Sequence, residues 1–327
     1  MTLELATAND GIRAISLIGP IGQISPICPI SPICPIIPFS PILAIRANRK
    51  SNTPMKPRTN SIIPFVRATL IALAASLAAS IGSAATLEKP TLEKLTIDGK
   101  SVSIKVPAEA APGKPWLWVG EFGGHLRSLE DGLVEKGWHV VYVSVSNQFG
   151  SPRAMATWER VYDELHGKRG FSAKPALLGI SRGGLYVNAW VRLHPDRASV
   201  LYLDNGVCDI RSWPGGFALN RQGKLSANDW ALYKTEFGYA NDADAQAKSL
   251  RPTDGLLPAI KAGVFLISCH GTADKVVPFE DNAAPVVKLW QENNGRLKVF
   301  AKEGGDHHPH GLPDPKPLIE LIAAEAR

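Results

Sequence analysis

The chain has little charge of one sign where a charged partner would need it. Of 36 Lys+Arg and 30 Asp+Glu, residues 1–85 hold seven cations and two anions, so the remainder carries 29 against 28. A body this close to neutral offers no electrostatic footing for nucleic acid or for an anionic membrane, and neither is expected as a partner. Cysteine is also scarce, with four in 327 residues. None comes directly after the apolar stretch near the N-terminus, which speaks against a lipoprotein anchor. That stretch, residues 68–81, falls short of the roughly 20 apolar residues of a stable membrane span. With 45% hydrophobic and 20% charged residues, the chain is neither a disordered nor a collagen-like one.

What is present falls into unequal parts. From Pro26 to Pro41 every third residue is proline, and the hexamer ISPICP occurs in tandem at 24–29 and 30–35. Such density forbids helix and central strand. Residues 1–54 therefore read as a low-complexity leader, upstream of a true start at Met55. Residues 55–85 then have the order of a secretory signal peptide: Lys56, Arg58 and Arg67, the Ala/Leu-rich stretch, and Ser83-Ala84-Ala85 as the cleavage site. A periplasmic or secreted protein of residues 86–327 is expected, long enough for one well-buried domain.

The body alternates strand and helix. KLTID, a Gly99-Lys100 turn and SVSIKV suggest an opening hairpin. Apolar runs at 115–120, 139–145, 175–180, 199–204, 264–268 and 297–301 read as strands. Helical patterns at 126–136, 152–166, 182–193, 282–292 and 316–326 separate and close them. Apolar rather than alternating strands, each followed by a helix, mean a mainly parallel sheet covered on both faces. The class is α/β. About 60 residues between the runs at 199–204 and 264–268 are too many for one crossover. This insertion, about 207–260, is expected to form a small cap, with a helix starting at a Ser226 N-cap.

The chemistry sits at strand ends. Gly179-Ile180-Ser181-Arg182-Gly183 lies between a β run and a helix, the context that makes G-x-S-x-G a nucleophile turn. A serine hydroxyl needs a general base. Of eight histidines, His139, His166 and His194 sit at element ends and read as structural. His125, His270, His307, His308 and His310 remain. The last three follow the final strand, in a loop able to reach the nucleophile, and His307 is the choice, with His308 next. A metal held by His307, His308 and His310 is set aside, because adjacent histidines need a further distant ligand. Asp274, just after the strand at 264–268, completes the order Ser181, Asp274, His307; Asp204 and Asp209 are the runner-up acids. No metal or organic cofactor is implied.

GISRGG, the G-x-x-D-x-x-V-P pattern in GTADKVVP, and the glycine-rich histidine loop together resemble the α/β-hydrolase superfamily over residues 115–327. More closely, WPGG, HVVYVSVSNQFGSP and HHPHGL look like secreted bacterial hydrolases related to dienelactone hydrolase and to prolyl-oligopeptidase catalytic domains. Asp306 stands where such loops usually carry glycine, which leaves His307 and His308 both open as the base. The resemblance implies an α/β-hydrolase fold and an oxyanion hole made by the backbone N–H groups of Arg182 and Phe122. It also makes the strands at 199–204 and 264–268 neighbours, so a disulfide between Cys208 and Cys269 is expected beyond their ends.

The reading is a secreted serine hydrolase acting on a carboxylic ester through an acyl-enzyme. Trp213, Phe217, Trp230, Tyr233 and Tyr239 in the insertion suggest a small-molecule or glycan ester, on a carbohydrate or plant phenolic. A small exported serine peptidase and a non-catalytic binding protein on the same scaffold are the alternatives.

Overall fold

The computed structural model describes residues 89–217 and 224–326. The chain divides into Met1–Ala78 and Ala79–Arg327. The leader at 1–54 and the signal segment at 55–85 lie outside the described residues.

β1 (Thr91–Ile97) and β2 (Lys100–Val106) form the opening hairpin. Its turn is Asp98-Gly99, one residue earlier than the sequence suggested, because Lys100 pairs with Ile97. Both turn residues have positive φ, 53° and 70°, the combination that suits the twist of a two-residue hairpin. β3 (Trp116–Val119), β4 (His139–Val143), β5 (Ala176–Ile180), β6 (Val200–Asp204), β7 (Phe265–Gly271) and β8 (Leu297–Lys302) follow. The eight strands make one sheet in the order β1-β2-β4-β3-β5-β6-β7-β8, antiparallel at β1-β2-β4 and parallel from β4 to β8. β7 runs three residues past the apolar run that marked it and draws Cys269 and His270 into the sheet.

Alternation along β3 explains why both faces are covered. Trp116 and Trp118 point to one face, where Trp118 stacks on Trp158 at 4.1 Å beside Trp190. Leu117 and Val119 point to the other. The first face is closed by α2 (Pro152–Tyr162), α3 (Gly183–Leu193) and α7 (Ala283–Glu292). The second is closed by α1 (Arg127–Glu135) and α8 (Lys316–Glu325). α2 begins at Ser151, whose hydroxyl accepts from the Ala154 N–H, and continues as a π-helical turn over Asp163–Lys168.

The segment between β6 and β7 carries α4 (Ala227–Phe237), α5 (Asp242–Lys248) and α6 (Leu257–Lys261). The expected cap at Ser226 is different in kind: its hydroxyl donates to the Asp229 carboxylate at 2.5 Å rather than accepting from the helix. Trp230 and Tyr233 pack with Phe149, Leu185, Val207 and Ile210 into a third apolar cluster. Trp213 and Tyr239 lean on it, and the 42%-exposed Phe217 meets Trp230 edge-on. Most of the insertion's aromatics are thus spent on the cap's own core. Among the described residues no helix is long and apolar enough to cross a membrane.

Candidate active site

β5 ends in a turn that only small residues can enter. A Cβ on Gly179 would lie 2.8 Å from the Gly184 Cα, and one on Gly184 would lie 2.5 Å from the Val207 carbonyl oxygen. Between them Ser181 adopts φ 48°, in the left-handed region that costs a side-chain-bearing residue about 1–3 kcal/mol. The turn is held by its own backbone. Ser181 N–H donates to the Asp204 carbonyl at 3.0 Å, and its carbonyl accepts from Gly184 at 3.0 Å and Val207 at 2.8 Å. The hydroxyl is left to project from the sheet's carboxyl end.

Ser181 Oγ lies 3.0 Å from Nε2 of His307, and His307 Nδ1 lies 2.7 Å from Oδ2 of Asp274. A carboxylate only accepts, so the proton sits on Nδ1 and Nε2 keeps its lone pair toward the serine. Asp274 is 6% exposed and His307 5%. The other carboxylate oxygen of Asp274 accepts from the Val276 and Val277 N–H groups, each at 2.8 Å, which stops the acid from rotating away.

The loop after β8 is held from two sides. Asp306 accepts from the His307 N–H at 2.7 Å, a bond that keeps its carboxyl below the usual carboxylate range. Asn205 donates to the His307 carbonyl at 2.7 Å and accepts from Gly271 N–H at 2.9 Å. Asp306 in place of a glycine therefore holds the backbone of His307. His308 is exposed and makes no hydrogen bond among the described residues; what burial it has and the neighbouring imidazoles hold its pKa below the ordinary value. The runner-up acids are committed elsewhere. Asp209 is bound by Arg211 at 2.7 and 2.9 Å, and Asp204 takes His310 Nδ1 at 2.9 Å.

Phe122 also has positive φ, 60°. The loop after β3 abuts the serine turn: a Cβ on Gly120 would meet the Gly183 carbonyl oxygen at 2.7 Å, and one on Gly183 would meet the Glu121 nitrogen at 3.1 Å. Neither the Phe122 nor the Arg182 N–H is bonded within the described protein. Two roles escaped the sequence. The Arg182 guanidinium lies 5.3 Å over the Phe122 ring and pairs with Asp229 of α4 at 3.3 Å and Glu121 at 3.5 Å, joining cap, turn and loop. Asp204 and Asn205 at the end of β6 anchor the histidine loop. Nothing local marks the role of Arg182, whereas the Asp204-Asn205 pair at a strand's carboxyl end was a usable signal for the second.

The expected Cys208–Cys269 disulfide is not formed; both thiols are free and buried. Cys208 packs on the α3 side, its Sγ 3.5 Å from Asn188 Nδ2. Cys269 lies on the α1 and α8 side, 3.7 Å from the Gly311 carbonyl oxygen. The sheet stands between them. Burial pushes each thiol up to about 12. An apolar cavity of about 280 Å³ between α2, α3 and the cap is lined by Met155, Leu185, Tyr233 and Phe237, among others, and not by Ser181, Asp274 or His307.

No protein-family model matches the sequence, and no curated protein matches it. Solved structures share its fold. A Bacteroides ovatus protein classed as a dipeptidyl aminopeptidase IV superposes with TM-score 0.53 at 14% identity, over 74% of this chain and 36% of that one. The 2,6-dihydroxy-pseudo-oxynicotine hydrolase gives 0.51 at 16% identity, over 72% and 68%. A mutant of the esterase E40 gives 0.50 at 15% identity, over 82% and 100%. The chain spans little more than a third of the first of these. With the strand order and the serine turn described above, it has the α/β-hydrolase fold.

Proposed function

We propose that the protein is an exported serine hydrolase that cleaves a carboxylic ester. The observation that carries this is the unbroken chain from Ser181 Oγ through His307 to Asp274, at 3.0 and 2.7 Å. Ser181 Oγ attacks the acyl carbonyl while His307 Nε2 takes its proton, and Asp274 stabilises the imidazolium. The carbonyl oxygen becomes an oxyanion beside the free N–H groups of Phe122 and Arg182, each such donor contributing about 3 kcal/mol to the transition state. The imidazolium then gives its proton to the departing alkoxide, and an acyl-enzyme remains. Water, deprotonated by the same imidazole, releases the acid and restores Ser181. Activity falls as His307 takes a proton from solvent at acidic pH.

The signal-like segment at 55–85 supports export. A carbohydrate or plant phenolic ester was suggested by the insertion's aromatics. Since most of these pack into the cap, the proposal now rests on the ester bond and leaves the alcohol open. The same apparatus attacks amides, so turnover of aryl esters against aminoacyl anilides separates an esterase from a peptidase. The decisive experiment treats the protein with a fluorophosphonate and reads the intact mass beside Ser181→Ala. One adduct, absent from the variant, is expected. No adduct on a folded chain would instead favour a binding protein on a hydrolase scaffold.

A further inference from the structure

The adjacency of His307, His308 and His310 argued against a metal as long as only their spacing was known. Folded, the three rings form a near-equilateral cluster. Their centroids are 4.8, 5.0 and 4.7 Å apart, and their planes meet at 75°, 80° and 85°. One nitrogen from each ring lies within 4.8 Å of the other two. Two of the three are oriented from behind by carboxylates: Asp274 takes His307 Nδ1 at 2.7 Å, and Asp204 takes His310 Nδ1 at 2.9 Å. Both acids therefore hold the tautomer that leaves Nε2 unprotonated, the arrangement by which carboxylates prepare imidazoles for a metal. The third ring, on exposed His308, has no hydrogen bond to break among the described residues.

We propose that these imidazoles form an inhibitory site for a divalent transition-metal cation of the zinc class. Three nitrogen donors and no oxygen donor favour zinc over magnesium or calcium. Zinc–nitrogen bonds of about 2.0–2.1 Å need donors about 3.4 Å apart, so the site closes by roughly an ångström and a half. Exposed His308 can swing inward toward both of the other rings. Asp204 and Asp274 place two carboxylates behind the ligands, matching the ion's charge. The cost falls on catalysis. His307 Nε2 cannot both bind the ion and accept the Ser181 proton, so the bound ion replaces the 3.0 Å hydrogen bond and stops acylation. The inhibition rests on the serine-hydrolase reading; the ion site itself does not.

The test uses the full chain and zinc alone, titrated against a chromogenic chelator, with cobalt as a spectroscopic substitute. One ion per chain is expected, with the visible absorption of four-coordinate cobalt and no competition from magnesium. His308→Ala should lose affinity about tenfold or more. Ser181→Ala should bind as tightly as the parent or tighter, since no hydroxyl competes for Nε2. Zinc should slow fluorophosphonate labelling of Ser181, a chelator should restore it, and His308→Ala, set against its own zinc-free rate, should lose the effect. Absence of stoichiometric binding, equal affinity in His308→Ala, or unchanged labelling with zinc bound would each overturn the proposal. If Ser181 fails to label even without metal, the hydrolase reading fails, and the zinc titrations of parent and His308→Ala still decide the ion site.

Discussion

Asp204 holds His310 as Asp274 holds His307, through Nδ1 at 2.9 Å, although 106 residues separate the pair. Its carboxylate is fully buried and also accepts from the Tyr202 hydroxyl at 2.5 Å and the Gly311 N–H at 2.9 Å. Asp204 is the last residue of β6, in register with Ile180 before the serine turn and with Cys269 on β7. The histidine loop is thereby tied to the strand beside the one that leads into Ser181.

Asp204→Ala should cost about 3 kcal/mol or more, because it leaves buried donors without a partner. Urea unfolding measures this as a lower midpoint at unchanged slope. The folded fraction should also label more slowly with fluorophosphonate, since the loop that carries His307 loses its ties at His310 and Gly311. An unchanged midpoint would show that Asp204 is not the tie.

Asp274→Asn should separate chemistry from folding. The amide oxygen can still accept from Val276 and Val277, so the melting temperature should stay close to that of the parent. The amide nitrogen, however, would face Nδ1 as a donor and impose the wrong tautomer. A fall in kcat of about 10⁴-fold is expected. Activity within tenfold of the parent would remove Asp274 from the mechanism.

Gly184→Ala tests the crowding behind the serine turn. Its new methyl would lie 2.5 Å from the Val207 carbonyl oxygen and 2.8 Å from the Val207 nitrogen, both backbone atoms. A loss of about 1–3 kcal/mol is expected from overpacking, with reduced Ser181 labelling because Val207 also bonds the Ser181 carbonyl. Thermal unfolding and labelling rate should fall together, and a stable, fully reactive variant would contradict the close approach.

Stability should decline below about pH 6.5. Burial, chiefly, holds His139 and His270 below the ordinary value of 6.5. The unfolded chain therefore binds more protons than the folded one once the pH drops under that value. Their contribution is complete above it and is lost as the pH falls toward the lower folded-state values. His270→Phe, which keeps the ring stack on Phe279, should flatten the pH dependence of the melting temperature. An equal slope in parent and variant would rule His270 out as a source.

Cys208 and Cys269 should resist alkylation in the native protein and react only after unfolding. Burial pushes both thiols up to about 12, so neither offers thiolate to solvent. Peptide mapping after iodoacetamide, with and without denaturant, reads this directly. A linked peptide holding both cysteines would restore the disulfide.

The amino-acid order determined what is local. Apolar runs set the strands, because residues buried on both faces leave no room for alternation. G-x-S-x-G marked the serine turn, because the steric demand for glycine acts within a few residues. Most boundaries followed to within a residue or two; the departures are the start of β1, three residues before KLTID, the hairpin turn, where Asp98 accepts positive φ beside Gly99, and the end of β7, which continues while β8 supplies partners for Cys269 and His270.

Pairings across the sheet were decided only in three dimensions. Asp204, Asp209 and Asp274 all follow strand ends, and nothing in their neighbourhoods says which faces His307. That depends on where the loop after β8 is held, and Asn205 and Asp306 hold it through backbone atoms that carry no sequence signature. Cys269 lies within β7 with its side chain on the α1 and α8 face, whereas Cys208 lies in the loop past the end of β6 and packs on the α3 face, so the sheet separates two residues that strand adjacency alone would have paired. Sequence proximity made the three histidines look like neighbours along a line; the fold of their loop turned them into a cluster around a common point.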